Sequence, residues 1–248
     1  TDRAEWIGKT VTLKWGLTHS SNNISAYLMK QYGPDAMIRM MRKMGVGTHL
    51  VSAPSLCVGT AQIKVFDMIA AYNTFPSQGI HISPFFVTRI EDDLGNVIGE
   101  FHPQKREAIG EHQAYLMANL MQGVVSSGTG VRLKYKYKLR GEIAGKTGTT
   151  NKNADGWFIG YTPKLTAGAW VGAENPNIHF QHTSLGGGSN MALPIWGLFM
   201  QKILADGTLG ISESDTFTPS GIRVNLGCTG SESFVQGAPT DEESLFFD

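Results

Sequence analysis

Cysteine is scarce: among 248 residues there are two, Cys57 and Cys228, and neither lies in a C-x-x-C pair or a histidine-rich context. Two thiols cannot build a metal cluster by themselves. They are free thiols or one disulfide, and the free, partly buried state is the expected one because buried cysteine packs as a small hydrophobe. Charge of either sign has no surplus, since 21 Lys and Arg balance 21 Asp and Glu. A chain so balanced offers no broad field for nucleic acid or an anionic membrane. No apolar run approaches the roughly eighteen residues that a membrane helix requires, and no secretory leader opens the sequence. The histidines His19, His49, His81, His102, His112, His179 and His182 are scattered without an H-E-x-x-H pair, and the His179/His182 spacing is a weak signal, so no metal site and no cofactor is expected. All seven are read as non-catalytic, His19 being of interest because Ser20 follows it. Phosphate-binding and dinucleotide glycine fingerprints are missing too, as are internal repeats.

What is present suits a globular protein: 41% hydrophobic and 17% charged residues, in a chain long enough for one large domain or two small ones. Residues 24–32 repeat apolar side chains at helical spacing up to Gly33-Pro34, and a second helix is predicted over 35–44. Its Met37, Met40, Met41 and Met44 share a face and read as core filling rather than a soft-metal stripe. An amphipathic helix is predicted over 61–74, a hairpin over 85–90 and 97–101 around Asp92-Asp93-Leu94-Gly95-Asn96, and a helix over 111–126. Glu91, Asp92 and Asp93 are read as turn chemistry, not metal ligands. The basic, tyrosine-interleaved run over 134–140 is read as a charged surface approach to the strand-forming stretch that begins near Glu142. A strand over 165–172, a helix from Pro194 to about residue 206 and a short strand over 222–226 complete the pattern, before an acidic end at Asp241-Glu242-Glu243.

The most informative stretch is Ala144-Gly145-Lys146-Thr147-Gly148-Thr149-Thr150, then Asp155-Gly156-Trp157-Phe158-Ile159-Gly160-Tyr161. Two β-leaning runs flank a polar turn, which predicts a hairpin. Lys146 contributes a charge, Thr147 and Thr149 contribute hydroxyls, and Gly148 lets a ligand approach the backbone. Such a set can grip a carboxylate and a carbonyl. Ser20-Ser21-Asn22 supplies an S-x-N element, 146 − 20 = 126 residues before the lysine.

Together K-T-G and S-x-N resemble the penicillin-binding proteins and serine β-lactamases. The wider phrasing resembles the transpeptidase domain of class A, bifunctional penicillin-binding proteins. It is carried by Leu17 to Asn22, Val58-Gly59-Thr60-Ala61, Ala70-Ala71-Tyr72-Asn73, Gly123-Val124-Val125 with Gly128-Thr129-Gly130, the two strands above, and Trp170-Val171-Gly172. The likeness covers roughly residues 8–205. It implies an α+β fold of the β-lactamase/transpeptidase kind: an antiparallel sheet flanked by helices plus a mainly helical subdomain. Residues 1–206 would form a partial transpeptidase domain and 207–248 a partly irregular extension.

The resemblance also assigns roles. Ser20 relays a proton to the leaving nitrogen, Asn22 binds an amide of the substrate, and Lys146 sustains the electrostatics around Ser20. Thr147, Gly148 and Thr149 bind the carboxylate end of a D-Ala-D-Ala stem peptide or a β-lactam, and the Thr149 N–H forms half of the oxyanion hole. The family's nucleophile lies in an S-x-x-K helix before S-x-N, yet Ser-x-x-Lys occurs nowhere in this chain. The expectation is a fragment, inactive by itself, of an extracytoplasmic D,D-transpeptidase. Its membrane anchor and glycosyltransferase domain would precede Thr1, and an exposed sheet edge would mark the missing strands. A D,D-carboxypeptidase, a β-lactamase-like hydrolase and a non-catalytic penicillin-recognition module are the alternatives.

Overall fold

The first helix is fixed by Thr12, whose Oγ1 accepts the backbone N–H of Trp15 at 3.0 Å and so caps α1 (Leu13–His19). The computed structural model describes residues 2–6 and 8–221. The strand expected over 222–226, the acidic end and Cys228 lie outside the described residues. Cys57 is a half-buried free thiol. Helix α1 was not anticipated, because its seven residues with an internal glycine carry little periodic signal. It stops where Ser20 adopts the left-handed conformation, φ 57° and ψ 45°. Ser21 then caps α2 (Asn22–Lys43), accepting the Ile24 N–H. As Gly33-Pro34 foretold, α2 is interrupted at Gly33, where φ is 79° and ψ is 162°. Met44 is buried beside Val46 and Leu50, with Met40 and Met41 packed on them, which is the core role read from the methionine stripe.

Helix α3 (Val65–Asn73) begins later than expected; Ile63 still packs against the core, but from non-helical backbone. Four short strands come next: β1 (Ile80–Ile82), β2 (Arg89–Glu91), β3 (Val97–Glu100) and β4 (Lys105–Glu107). The β2–β3 hairpin is shorter than predicted, and Asp92 organises its turn by accepting the N–H groups of Leu94 and Asn96 at 3.0 and 2.7 Å. The β1–β4 pair escaped the sequence reading because three-residue strands leave no usable alternation.

Helix α4 (Glu111–Ser127) leads through a glycine-flanked turn into α5 (Arg132–Tyr135). In the basic run, Tyr137 and Leu139 point into the core while Lys136, Lys138 and Arg140 stay exposed. Strands β5 (Ala144–Thr149), β6 (Asp155–Tyr161) and β7 (Thr166–Gly172) then form one antiparallel sheet in that order. After α6 (Thr183–Gly186) comes α7 (Gly188–Ala205). The last helix therefore starts six residues before Pro194, correcting the expected boundary. Of the glycines that read as a loop, Gly186 ends α6, Gly187 caps α7 and Gly188 opens its first turn: a Cβ on Gly188 would lie 2.1 Å from the Gly148 carbonyl oxygen and 2.6 Å from that of Trp157.

The chain is α+β, with β6 buried on both faces. Phe158 meets Trp196 of α7 at a ring distance of 5.2 Å, within a cluster that includes Leu133, Leu193 and Met200. On the other face Tyr161 and Ala144 pack with Ala118 and Met121 of α4. Phe217 joins this second cluster, and its N–H donates to the Glu142 carboxylate at 2.7 Å, so the segment after residue 206 returns to seal the domain. Among the described residues β5 and β7 are edge strands, and Ile195, Leu198 and Phe199 form an exposed apolar stripe on α7. No helix among the described residues is long and apolar enough to cross a membrane.

Glycines set how closely α1 approaches α4. A Cβ on Gly128 would stand 2.2 Å from the Thr18 carbonyl oxygen, whereas one on Gly207 would meet nothing within 4 Å. Gly128→Ala is therefore expected to destabilise the domain by about 1–3 kcal/mol through overpacking, and Gly207→Ala by no more than about 0.5 kcal/mol. Urea denaturation midpoints of the two variants check the contrast.

Candidate active site

The strand alternation of β5 decides which way its lysine points. Ala144 packs against α4, and Lys146, two residues on, projects from the same face. Helix α1 lies on α4, tied there by the Lys14 ammonium donating to the Asn119 side-chain oxygen at 2.9 Å. The end of α1 thus arrives over the lysine, and the left-handed turn at Ser20 presents its hydroxyl. Lys146 Nζ donates to Ser20 Oγ at 2.7 Å and to the Thr147 carbonyl oxygen at 3.1 Å. Burial pushes the Lys146 ammonium down to about 8.

Thr147 and Thr149 are held from two further elements. Thr147 Oγ1 lies 2.7 Å from Thr129 Oγ1, in the turn between α4 and α5. Thr149 Oγ1 accepts the N–H of Gly188, the first residue of α7, at 2.9 Å. The Arg132 guanidinium fixes that first turn by donating to the Ser189 carbonyl at 3.1 Å and to the Asn190 side-chain oxygen. The Gly148 carbonyl lies beneath Gly188, so the close approach of α7 needs glycine at 188, while a Cβ on Gly148 itself would meet the Trp157 Cβ at 3.0 Å. The edge of β5 turned away from β6 has no strand partner among the described residues.

Of the residues singled out in the sequence, Ser20, Lys146, Thr147, Gly148 and Thr149 thus converge. Asn22 sits at the start of α2, exposed, two positions beyond Ser20; among the described residues no hydrogen bond joins its side chain to Ser20 or Lys146. Thr129 and Arg132 were missed. The Gly-Thr-Gly spelling drew notice to the turn, but nothing local indicates that its hydroxyl meets β5. Several other serines hold structural hydrogen bonds: Ser21 caps α2, Ser25 donates to the Ser21 carbonyl, Ser52 donates to Asp35, and Ser212 bonds Ser214. His19 stacks on Trp15 with ring centroids 4.3 Å apart, its Nδ1 being 2.9 Å from the Trp15 carbonyl oxygen. No group of three His, Cys, Asp or Glu that could hold a metal occurs among the described residues.

Chemically, an ammonium withdrawn from water against a hydroxyl can stabilise negative charge and pass a proton through that hydroxyl. The adjoining threonine hydroxyls suit an anionic terminus.

Comparison with known proteins bears on this arrangement. The family model described as the penicillin binding protein transpeptidase domain matches residues 2–184. Penicillin-binding protein 1A of Aquifex aeolicus is 30% identical over 230 residues, which are 90% of this chain and 30% of that protein. Penicillin-binding protein 2D of Bacillus subtilis is 30% identical over 207 residues, 80% of this chain and 29% of that protein. The chain thus spans about a third of the length of these curated relatives. Among solved structures, PonA1 from Mycobacterium tuberculosis superposes with a TM-score of 0.71 at 23% identity, covering 92% of this chain and 66% of that one. Penicillin-binding protein 1A from Haemophilus influenzae gives 0.71 at 22% identity, covering 78% and 34%. These likenesses establish the fold, including the β-lactamase-like sheet and its helices.

The buried lysine makes stability depend on pH. Below pH about 8 it is charged whether the chain is folded or not, and the burial penalty is present in full. Between about 8 and about 10.4, the ordinary lysine value, the folded chain releases the proton first, so stability rises with pH. Denaturation midpoints followed from pH 7 to 10.5 should rise for the parent relative to Lys146→Met; a difference independent of pH would contradict the burial of the ammonium.

Proposed function

Because this chain belongs to the transpeptidase family of class A penicillin-binding proteins, we propose that it is the later part of a peptidoglycan D,D-transpeptidase whose nucleophilic serine lies upstream of Thr1. The single observation carrying this reading is the 2.7 Å contact between Lys146 Nζ and Ser20 Oγ, beside Thr147 and Thr149. Two segments with no local reason to meet deliver an ammonium and a hydroxyl to one groove, as acyl transfer requires.

In this reading the upstream serine attacks the carbonyl of a D-Ala-D-Ala stem peptide. Ser20 then conveys a proton to the departing nitrogen: its oxygen accepts from Lys146, which leaves its own hydrogen free to be donated. Thr147 and Thr149 hold the terminal carboxylate, with Thr129 fixing the Thr147 hydroxyl. Gly148 and the open edge of β5 allow the peptide to lie alongside as an added strand. The Thr149 N–H serves the developing oxyanion, and Asn22 turns to the substrate amide when it is present. A β-lactam would enter by the same contacts; a structure of PonA1, 24% identical to this chain, is a complex with penicillin V. The transpeptidase unit is proposed over residues 1–206, closed by the segment that carries Phe217. In the longer protein a membrane anchor and a glycosyltransferase domain would precede it, on the extracytoplasmic side of the membrane.

The chain as given is expected to take no covalent label from fluorescent penicillin, while the protein extended upstream through an S-x-x-K helix is labelled. Gel fluorescence decides between them, and a labelled 248-residue chain would refute the division of labour. In the extended protein Ser20→Ala and Lys146→Met should each slow acylation about 100-fold or more, as read by stopped-flow competition with penicillin.

A further inference from the structure

Thr147 and Thr149 are both held from one short stretch of chain. A carboxylate carries its two oxygens on a single carbon, so two hydroxyls serve it together only when the distance between them is fixed. Thr129 settles one of them directly, through the 2.7 Å contact between its hydroxyl and that of Thr147. A little further on, Arg132 reaches the other by a longer route. Its guanidinium donates to the Ser189 carbonyl at 3.1 Å and to the Asn190 side-chain oxygen, in the first turn of α7. The residue before them, Gly188, gives its N–H to Thr149 Oγ1 at 2.9 Å. Asn190 is fastened from its other end too, since its side-chain nitrogen donates to the Thr183 carbonyl at 3.1 Å. The stretch that bears Arg132 is itself anchored: the Thr129 N–H donates to the Thr18 carbonyl of α1 at 3.4 Å, and Leu133 is wholly buried in the core.

Helix stability alone would not place a guanidinium there. The first turn of a helix carries partial positive charge and favours anions, and α7 runs for 18 residues. Arg132 brings a full positive charge to that end, and among the described residues no carboxylate pairs with it. Resting on the transpeptidase reading, we propose that Arg132 is a positioning residue for the donor substrate: by fixing the start of α7 it sets where the Thr149 hydroxyl stands, and with it the grip on the peptide's terminal carboxylate. It touches no reacting atom. A planar guanidinium defines a direction as well as a distance, which an ammonium on a lysine stem does not. Lys146 alternates with Thr147 and Thr149 along β5 and so projects from the opposite face. It bonds Ser20 outside this chain of contacts, so loss of Arg132 weakens binding and largely spares acylation.

The test uses the protein extended upstream and fluorescent penicillin over a range of concentrations, so that the apparent dissociation constant and the limiting acylation rate are read separately. Arg132→Gln and Arg132→Lys should each raise the constant about tenfold and leave the limiting rate within about threefold. In a Thr149→Val background, Arg132→Gln should raise the constant by no more than about a further twofold, because its route to the substrate is already cut. Asn190→Ala removes one acceptor and leaves the arginine in place; an increase of about threefold is expected, and this variant decides the matter if Arg132→Gln fails to fold. A parental constant in Arg132→Lys would mean that charge acts directly on the guest, and full additivity with Thr149→Val would mean a route other than Thr149. Either result overturns the proposal, as does a slowed limiting rate with the constant unmoved or a parental constant in Asn190→Ala. A parent that is acylated while Arg132→Gln binds as it does overturns this role alone; a parent that is never acylated overturns the transpeptidase reading and this role with it.

Discussion

The site hangs on one hydrogen bond, from the Lys146 ammonium to the Ser20 hydroxyl, which joins positions 126 residues apart. An ammonium withdrawn from water is unfavourable unless its protons are received. Here a hydroxyl and a backbone carbonyl receive two of them. The arrangement lasts only while α1, α4 and β5 keep their mutual spacing, so helix packing and site chemistry are a single problem. A shift of the α1 terminus by an ångström would leave the lysine without its hydroxyl.

That spacing is set by what side chains leave out. Gly123 and Gly128 bring α4 within touching distance of Thr18 on α1, and Gly188 brings α7 onto the backbones of β5 and β6. Large side chains fill the remainder: Phe158 and Trp196 between sheet and α7, Tyr161 and Phe217 on the opposite face. The reactive strand is held from both sides by tight, directional contacts, in a domain whose β2–β3 hairpin and outer α7 face are far more exposed.

Much of this was legible in advance because the signals are local. Gly33-Pro34 breaks a helix wherever it occurs, Asp92 finds its own turn amides, and the alternation through residues 144–161 admits few readings besides a hairpin. The convergence of Ser20 with Lys146 was legible only through the family resemblance, since no periodicity links segments so distant. Where the reading failed, tertiary packing had overridden local propensity. Helix α1 is too short and glycine-bearing to declare itself. Helix α7 begins in a glycine run that looks like a loop until β5 lies under it. Thr129 and Arg132 act through partners 18 and 57 or 58 residues away, which a turn and a basic residue do not announce.

The bond from the Gly188 amide to Thr149 has a bearing on what the groove accepts. One lone pair of that hydroxyl is already turned inward, so its hydrogen is the end that faces out. On the proposed reading, a guest ending in a carboxylate would find a proton waiting and offer it two charged acceptor oxygens, whereas one capped by an amide would offer a single uncharged one and bring N–H donors that the hydroxyl's hydrogen opposes. Rejection of blocked chain ends would then be settled by the first residue of a helix on the far side of the strand, before any part of the guest has moved.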